Sequence, residues 1–197
     1  VVRSDAHLAV LSATCAGPVQ KLLQDVMPKY TKVAAGEVEG GLTMNALIRQ
    51  HFYCLTEKAD RMTKLQTLLD TEAIKPSSTI IFTDTRASCK TLKKALGKRG
   101  LNCVALEGSM RQDDRIAAVE QFSAQEADIL IATDIAARGL DLRSVTCVIN
   151  FDMPSKTRDY VHRIGRTGRA GATGGAHSFV LPDDGAVCRG IIAALRQ

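Results

Sequence analysis

The chain has 197 residues, enough for one core of ordinary size or for one domain with a piece of another, and too few for two full enzyme domains. Hydrophobic residues make up 45% and charged residues 24%, and no apolar run approaches the roughly 18 residues of a membrane-spanning helix, so a soluble globular chain without a membrane partner is expected. With 26 Lys plus Arg against 21 Asp plus Glu the formal charge is +5, which fits an anionic partner without identifying one.

In the first 45 residues, 8–11 read as a buried strand, 19–27 as a short helix and 32–35 as a second strand, before Gly36, Gly40 and Gly41 among acidic residues. Two strands and a helix cannot bury a core, so residues 1–36 are expected to be the end of a preceding domain, 37–44 a linker, and 45–197 the main domain. The stub needs cover, so it is expected to lie against the main domain or a neighbouring molecule, or to move.

From Gln50 onward, short apolar runs alternate with segments of helical period. Strands are expected at 51–55, 79–83, 102–106, 128–132, 146–150 and 177–181. Between them lie the stripes Met62, Leu65, Leu68 and Leu69, then Leu92, Ala95 and Leu96, then Ile116, Val119 and Phe122. This βαβ rhythm, with strands apolar at nearly every position, predicts an α/β fold: an open, mainly parallel sheet with helices on both faces. Ligands of such sheets sit beyond the carboxyl ends of the strands, where Asp84, Thr85, Glu107, Gly108, Thr133, Asp134 and Asp152 follow.

The six cysteines (15, 54, 89, 103, 147 and 188) stand singly, without a C-x-x-C pair or clustered histidines, so no metal site is expected. They read as buried, reduced thiols of an intracellular protein, and no secretory leader opens the sequence. Aromatic residues are only 4% and Trp is absent, which disfavours an exposed base-stacking sheet and leaves the backbone as the handle on any nucleic acid.

Three stretches carry chemistry. In 160–171, Arg163, Arg166 and Arg169 recur every three residues with Gly165, Gly168 and Gly171 between them. Guanidinium forks suit phosphate oxygens, and glycines clear the approach, so a polyphosphate site is expected over a merely solvated basic loop. In 132–141, Thr133, Asp134, Arg138, Gly139 and Asp141 follow a buried strand. Thr133 can bond a phosphate and Asp141 a ribose hydroxyl, while helix capping by Thr133 or Asp134 is the plainer reading. In 107–115, Gly108 lets a strand pass close to the main chain, Ser109 or Asp113 can cap a helix, and Arg115 faces either phosphate or Asp114. Ser12-Ala13-Thr14 alone signals no more than capping.

Taken in order, Ser12-Ala13-Thr14, Ile80 to Thr85, Gly108 with Gln112 and Arg115, Ala132 to Asp141, and His162 to Arg169 resemble motifs III, IV, IVa, V and VI of the DEAD-box RNA helicases. The resemblance implies a RecA-like C-terminal domain from about residue 45, with ATP and Mg²⁺ held mainly by a first RecA-like domain. By that resemblance Arg166 and Arg169 are arginine fingers, and Gly139 and Asp141 share the nucleotide site. Asp84, Thr85, Gly108, Arg115 and Thr133 then line RNA phosphates, while Ser12, Thr14, Gln112, Arg138, His162 and Arg163 couple the two sites. The implied partners are RNA, single-stranded or in short duplexes, the first domain of the same protein, and accessory proteins.

Glu107 stands where the family often has His, and Leu142-Arg143 where Ile-Pro is common. No G-x-x-x-x-G-K-[ST] loop and no Asp-Glu-Ala-Asp run occur, so these residues alone are not expected to hydrolyse ATP. The competing readings are a non-catalytic RNA- or protein-docking module and half of a related DNA helicase.

Overall fold

The structure, a computed structural model, describes residues 17–27, 29, 31, 44–70, 78–137, 142, 145–169 and 171–196. The chain divides into two units, residues 1–39 and 40–197. Helix α1 (Gly17–Val26) occupies the first, where a helix was expected. The strands expected at 8–11 and 32–35, Ser12, Thr14 and linker residues 37–43 lie outside the described residues.

In the second unit strands and helices alternate: β1 (Ile48–Cys54), α2 (Asp60–Asp70), β2 (Thr79–Phe82), α3 (Arg86–Gly97), β3 (Cys103–Leu106), α4 (Gln112–Ser123), β4 (Ile129–Ala132), α5 (Asp134–Ala137), β5 (Cys147–Asn150), α6 (Thr157–Ile164), β6 (Gly174–Val180), a 3₁₀ turn (Pro182–Asp184) and α7 (Gly185–Leu195). The strands form one six-stranded sheet in the order β1-β6-β5-β2-β4-β3, and every pairing is parallel. This is the open parallel sheet that the apolar runs predicted, and it agrees with the RecA-like domain that the resemblance implies.

Strands β2, β4 and β5 are buried at every position, which is why their sequences carry no polar alternation. Successive side chains serve opposite faces: Ile80, Phe82, Leu130, Ala132 and Val148 meet Ala118 and Phe122 of α4 and Ala136 and Ala137 of α5. Ile81, Ile129, Ile131 and Ile149 meet Leu65 and Leu68 of α2 and Leu92 and Leu96 of α3. Each fully buried Ile, Leu, Val or Phe among them contributes roughly 1.5–3 kcal/mol by leaving water, and the alanines less. At the β1–β6 end, Tyr160 and Ile164 of α6 and Val187 and Ile191 of α7 cover Ile48 and Ala176.

The parallel register brings all six carboxyl ends to one edge. The chain leaving β2 runs to β3 at one side of the sheet, and the chain leaving β5 runs to β6 at the other. A crevice therefore opens between the ends of β2 and β5.

Two expectations need correction. In α4 the buried residues are Ala118 and Phe122, with Val119 partly covered, whereas Ile116 is exposed; the helix lies close to the sheet and presents a small residue to it. Of the cysteines, Cys89 and Cys147 are buried, Cys103 and Cys188 half-buried, and Cys54 exposed. Burial pushes the Cys103 thiol up to about 11 and that of Cys147 up to about 12, so both are protonated and unreactive at neutral pH.

Candidate functional site

The crevice is held by a charge network. Arg163, on α6, has a side chain only 2% exposed and donates through Nε to Asp134 Oδ1 and through Nη2 to Asp134 Oδ2, both at 2.7 Å. Its Nη1 donates to the Asp152 carbonyl at 2.5 Å and to Asn150 Oδ1 at 3.4 Å, and Nη2 also reaches Asp84 Oδ1 at 3.4 Å. The guanidinium lies 5.1 Å from the Phe82 ring centre. One cation thus ties together the ends of β2, β4 and β5. Arg61 of α2 adds a second buried pair, Nη1 to Asp152 Oδ1 at 2.5 Å, and Asp152 Oδ2 accepts the Asp84 N–H at 2.9 Å. Burial and then the neighbouring Asp152 raise the Asp84 carboxyl above the usual range, against the pull of Arg163.

The three arginines of 160–171 therefore do not point one way. Helix α6 ends at Ile164, and the chain turns there. Arg163 faces inward, Arg166 is half-buried, and Arg169 is exposed with Nε donating to the Gly165 carbonyl at 2.8 Å. Burial, then the charge of Arg169, lowers the pKa of Arg166. Between them Thr167 is buried, its hydroxyl donating to the Val145 carbonyl at 2.7 Å, and the Gly168 carbonyl accepts from Asn45 Nδ2 at 2.7 Å.

The glycines also have reasons inside the fold. Gly168 has φ +68° and a Cβ there would sit 2.6 Å from Ile48 Cγ1; Gly171 has φ +80°; a Cβ on Gly165 would press the Val161 carbonyl at 3.1 Å.

Arg166, Arg163, His162 and Asp159 line one cleft with Phe82, Asp134 and Ala137. Its volume, about 40 Å³, is far below the roughly 300–1,000 Å³ of a complete small-molecule site, so these residues make one wall and cannot enclose a nucleotide.

Along the same edge, Thr85 caps α3, accepting the Ser88 N–H at 3.0 Å and donating to Ser88 Oγ at 2.9 Å. Thr133 is buried at the end of β4, and its carbonyl accepts the N–H groups of Ala136 and Ala137. Arg115 Nη2 donates to the Ala136 carbonyl at 3.3 Å, joining α4 to α5 rather than turning back on Asp114. Gln112 opens α4 on the exposed side. The cap of α4 is Arg111, without a side-chain bond, and not Ser109 or Asp113.

Ser109 is instead held by Glu107. That buried carboxylate accepts the Ser109 N–H at 2.6 Å and its hydroxyl at 2.6 and 2.7 Å, with Lys90 Nζ at 3.4 Å and Arg86 Nε at 3.8 Å. The Ser109 donors, more than Lys90, hold the Glu107 carboxyl below the usual range. A Cβ on Gly108 would meet nothing nearer than Arg86 Nη2 at 3.7 Å, so the fold itself does not require glycine there.

Arg138, Gly139 and Asp141 lie outside the described residues. Sequence reasoning missed Arg61 and the joining roles of Asp134 and Asp152. A signal existed: Arg61 precedes Leu65 by one helical turn, on the buried stripe of α2, where a cation demands a carboxylate. Among the described residues no cluster of His, Cys, Asp or Glu is placed to hold a metal ion.

The helicase conserved C-terminal domain family matches residues 60–171. The chain belongs to that family. It is 37% identical to the DEAD-box ATP-dependent RNA helicase RhpA of Helicobacter pylori (strain B128), over 91% of this chain and 35% of that protein. It is 36% identical to the DEAD-box ATP-dependent RNA helicase CshA of Bacillus subtilis (strain 168), over 96% of this chain and 37% of that protein. The structure of S. cerevisiae Dbp5 bound to RNA and ADP BeF3 matches with a TM-score of 0.84 at 28% identity, over 98% of this chain and 50% of that one. The E. coli DEAD-box protein SrmB, bound to RraA, matches with a TM-score of 0.65 at 36% identity, over 73% of this chain and 84% of that one. The chain thus carries a C-terminal RecA-like domain of the DEAD-box kind, and it spans about a third of the length of the curated relatives it matches.

Proposed function

We propose that this domain is the C-terminal half of an ATP-dependent RNA helicase, in which ATP and single-stranded RNA draw two RecA-like domains together. The observation that carries the reading is the reach of Arg163: one side chain binds Asp134, beside Thr133, and Asp84, beside Thr85, while its helix leads directly into Arg166. A shift on the phosphate-tracking edge is thereby felt at the arginine cleft.

In this reading Arg166 and Arg169 approach the γ-phosphate of ATP bound on the first domain and stabilise the charge that spreads over the transferring phosphoryl group. Gly139 and Asp141 contact the nucleotide. Asp84, Thr85, Gly108, Arg115 and Thr133 follow the RNA backbone, and Gln112, Arg138, His162 and Arg163 join the two sites, with Ser12 and Thr14 acting from the first domain. Gly108 supports the backbone role, because a glycine that its own fold does not need leaves room for a phosphate against the main chain. Bending one bound strand separates a short duplex, and hydrolysis reopens the clamp.

The carboxylates of the crevice are taken up by Arg61 and Arg163, so no part in holding Mg²⁺ is assigned to them. The domain alone does not hydrolyse ATP. Arg166→Ala in the full-length protein is expected to lower ATP turnover by about 10³ to 10⁵-fold; turnover near that of the wild type would sink the assignment.

A further inference from the structure

Helix α3 starts at the phosphate-tracking edge, and its sequence runs against helix electrostatics. Its first turn, whose free N–H groups favour acidic residues, has none and opens on Arg86, with Lys90 one turn further on. No acidic residue occurs anywhere in α3. Arg86, Lys90, Lys94 and Lys98 recur every fourth residue, a spacing that stacks like charges on one face. The core side of the helix is given by Cys89, Leu92 and Leu96, so the cations lie away from it. The Arg86 and Lys90 side chains are 64% and 68% exposed, and Lys94 and Lys98 are exposed.

At this end the nearly dry carboxylate of Glu107 draws Arg86 and Lys90 toward Gly108, while Asp84, just before the cap of the helix, is engaged by Arg163. Arg99, beyond the end of the ridge, is taken by Asp70 at 2.6 Å. The row thus begins beside Gly108 and extends for about 18 Å down the outside of the domain, at steps of about 6 Å. That step is of the order of the separation between successive phosphates along a strand.

The geometry points to α3 as an extension of the RNA track: a strand leaving the edge at Gly108 continues along Arg86, Lys90, Lys94 and Lys98 through its backbone phosphates. This rests on the RNA reading of the edge itself. The ridge lengthens the footprint beyond the residues that bend the strand, and it carries no base preference.

The test uses the full-length protein and two single-stranded RNAs, one just filling the edge and one extended at both ends, with affinity measured across a salt series. Lys94→Gln/Lys98→Gln changes two exposed side chains to another good helix former, so the fold is kept. On the long RNA the variant should bind more weakly at low salt, with a log–log salt slope shallower by about 1.4, at about 0.7 per lysine. A fourfold rise in salt then costs the wild type about sevenfold more affinity than the variant. On the short RNA the two proteins should match. Equal slopes on the long RNA, or the same loss on both lengths, would overturn the ridge as a track. Arg115→Ala is the control for the edge: if it leaves binding of both RNAs unchanged, the failure belongs to the RNA reading of the edge and not to α3.

Discussion

Arg163 grips Asp134 with a two-point fork, Nε to Oδ1 and Nη2 to Oδ2, both at 2.7 Å, in a side chain sealed from water. Removing the guanidinium leaves the Asp152 carbonyl and two carboxylates without their shared donor. Arg163→Ala should therefore destabilise the domain by about 3–5 kcal/mol, read from denaturant midpoints. Arg163→Lys keeps the charge but loses the fork, and should recover only part of that stability.

The Arg61–Asp152 pair offers a cleaner energetic test, since both side chains are about nine-tenths buried. Asp152 also holds the Asp84 N–H, so the two sites are not independent. A double-mutant cycle with Arg61→Met and Asp152→Ala should give a coupling of about 0.5–3 kcal/mol, the pair of changes costing less than the sum of the singles. Strict additivity would mean that the contact does not matter to stability.

Two glycines should behave oppositely. Gly168→Ala forces a side chain into a positive-φ position and against Ile48, and should cost about 2–4 kcal/mol. Gly108→Ala meets only the far end of Arg86, so stability should change by less than about 1 kcal/mol while RNA affinity falls. Calorimetry and RNA titration on both variants check this; a Gly108→Ala protein that binds RNA normally would remove the close-approach role.

His177 gives the fold a pH dependence. Its ring stacks on His51 at 4.8 Å, shares a hydrogen bond with the Tyr53 hydroxyl at 3.0 Å, and is pushed down to about 4, first by burial and then by His51. In the unfolded chain the ring takes its proton near 6.5. Below that pH the unfolded state binds a proton that the folded state refuses, so the His177 contribution is whole above about 6.5 and is lost as the pH falls toward 4. Urea midpoints should decline over that window in the wild type and decline less in His177→Gln; equal slopes would rule the group out.

The central strands were legible to within a residue because burial on both faces leaves an unbroken apolar run, as in Ile129 to Ala132. The outer pair was read late: β1 begins at Ile48 and β6 at Gly174, three residues ahead of expectation in each case. Strand β1 lies at the sheet edge and includes exposed Arg49, and β6 opens on two glycines, the first of which, Gly174, is crowded by Thr167. Neither carries the hydrophobic signal that defines an inner strand. The site edge was visible as the polar residues after each strand, but the inward turn of Arg163 was not, because a three-residue spacing says nothing about where a helix stops.

Asn45, three residues before β1, holds the Gly168 carbonyl, midway between Thr167 and Arg169. The peptide entering the domain is thus fastened one bond away from the segment that carries Arg166 and Arg169. A displacement of Asn45 therefore reaches the turn between these two cations through a single hydrogen bond, without crossing the sheet.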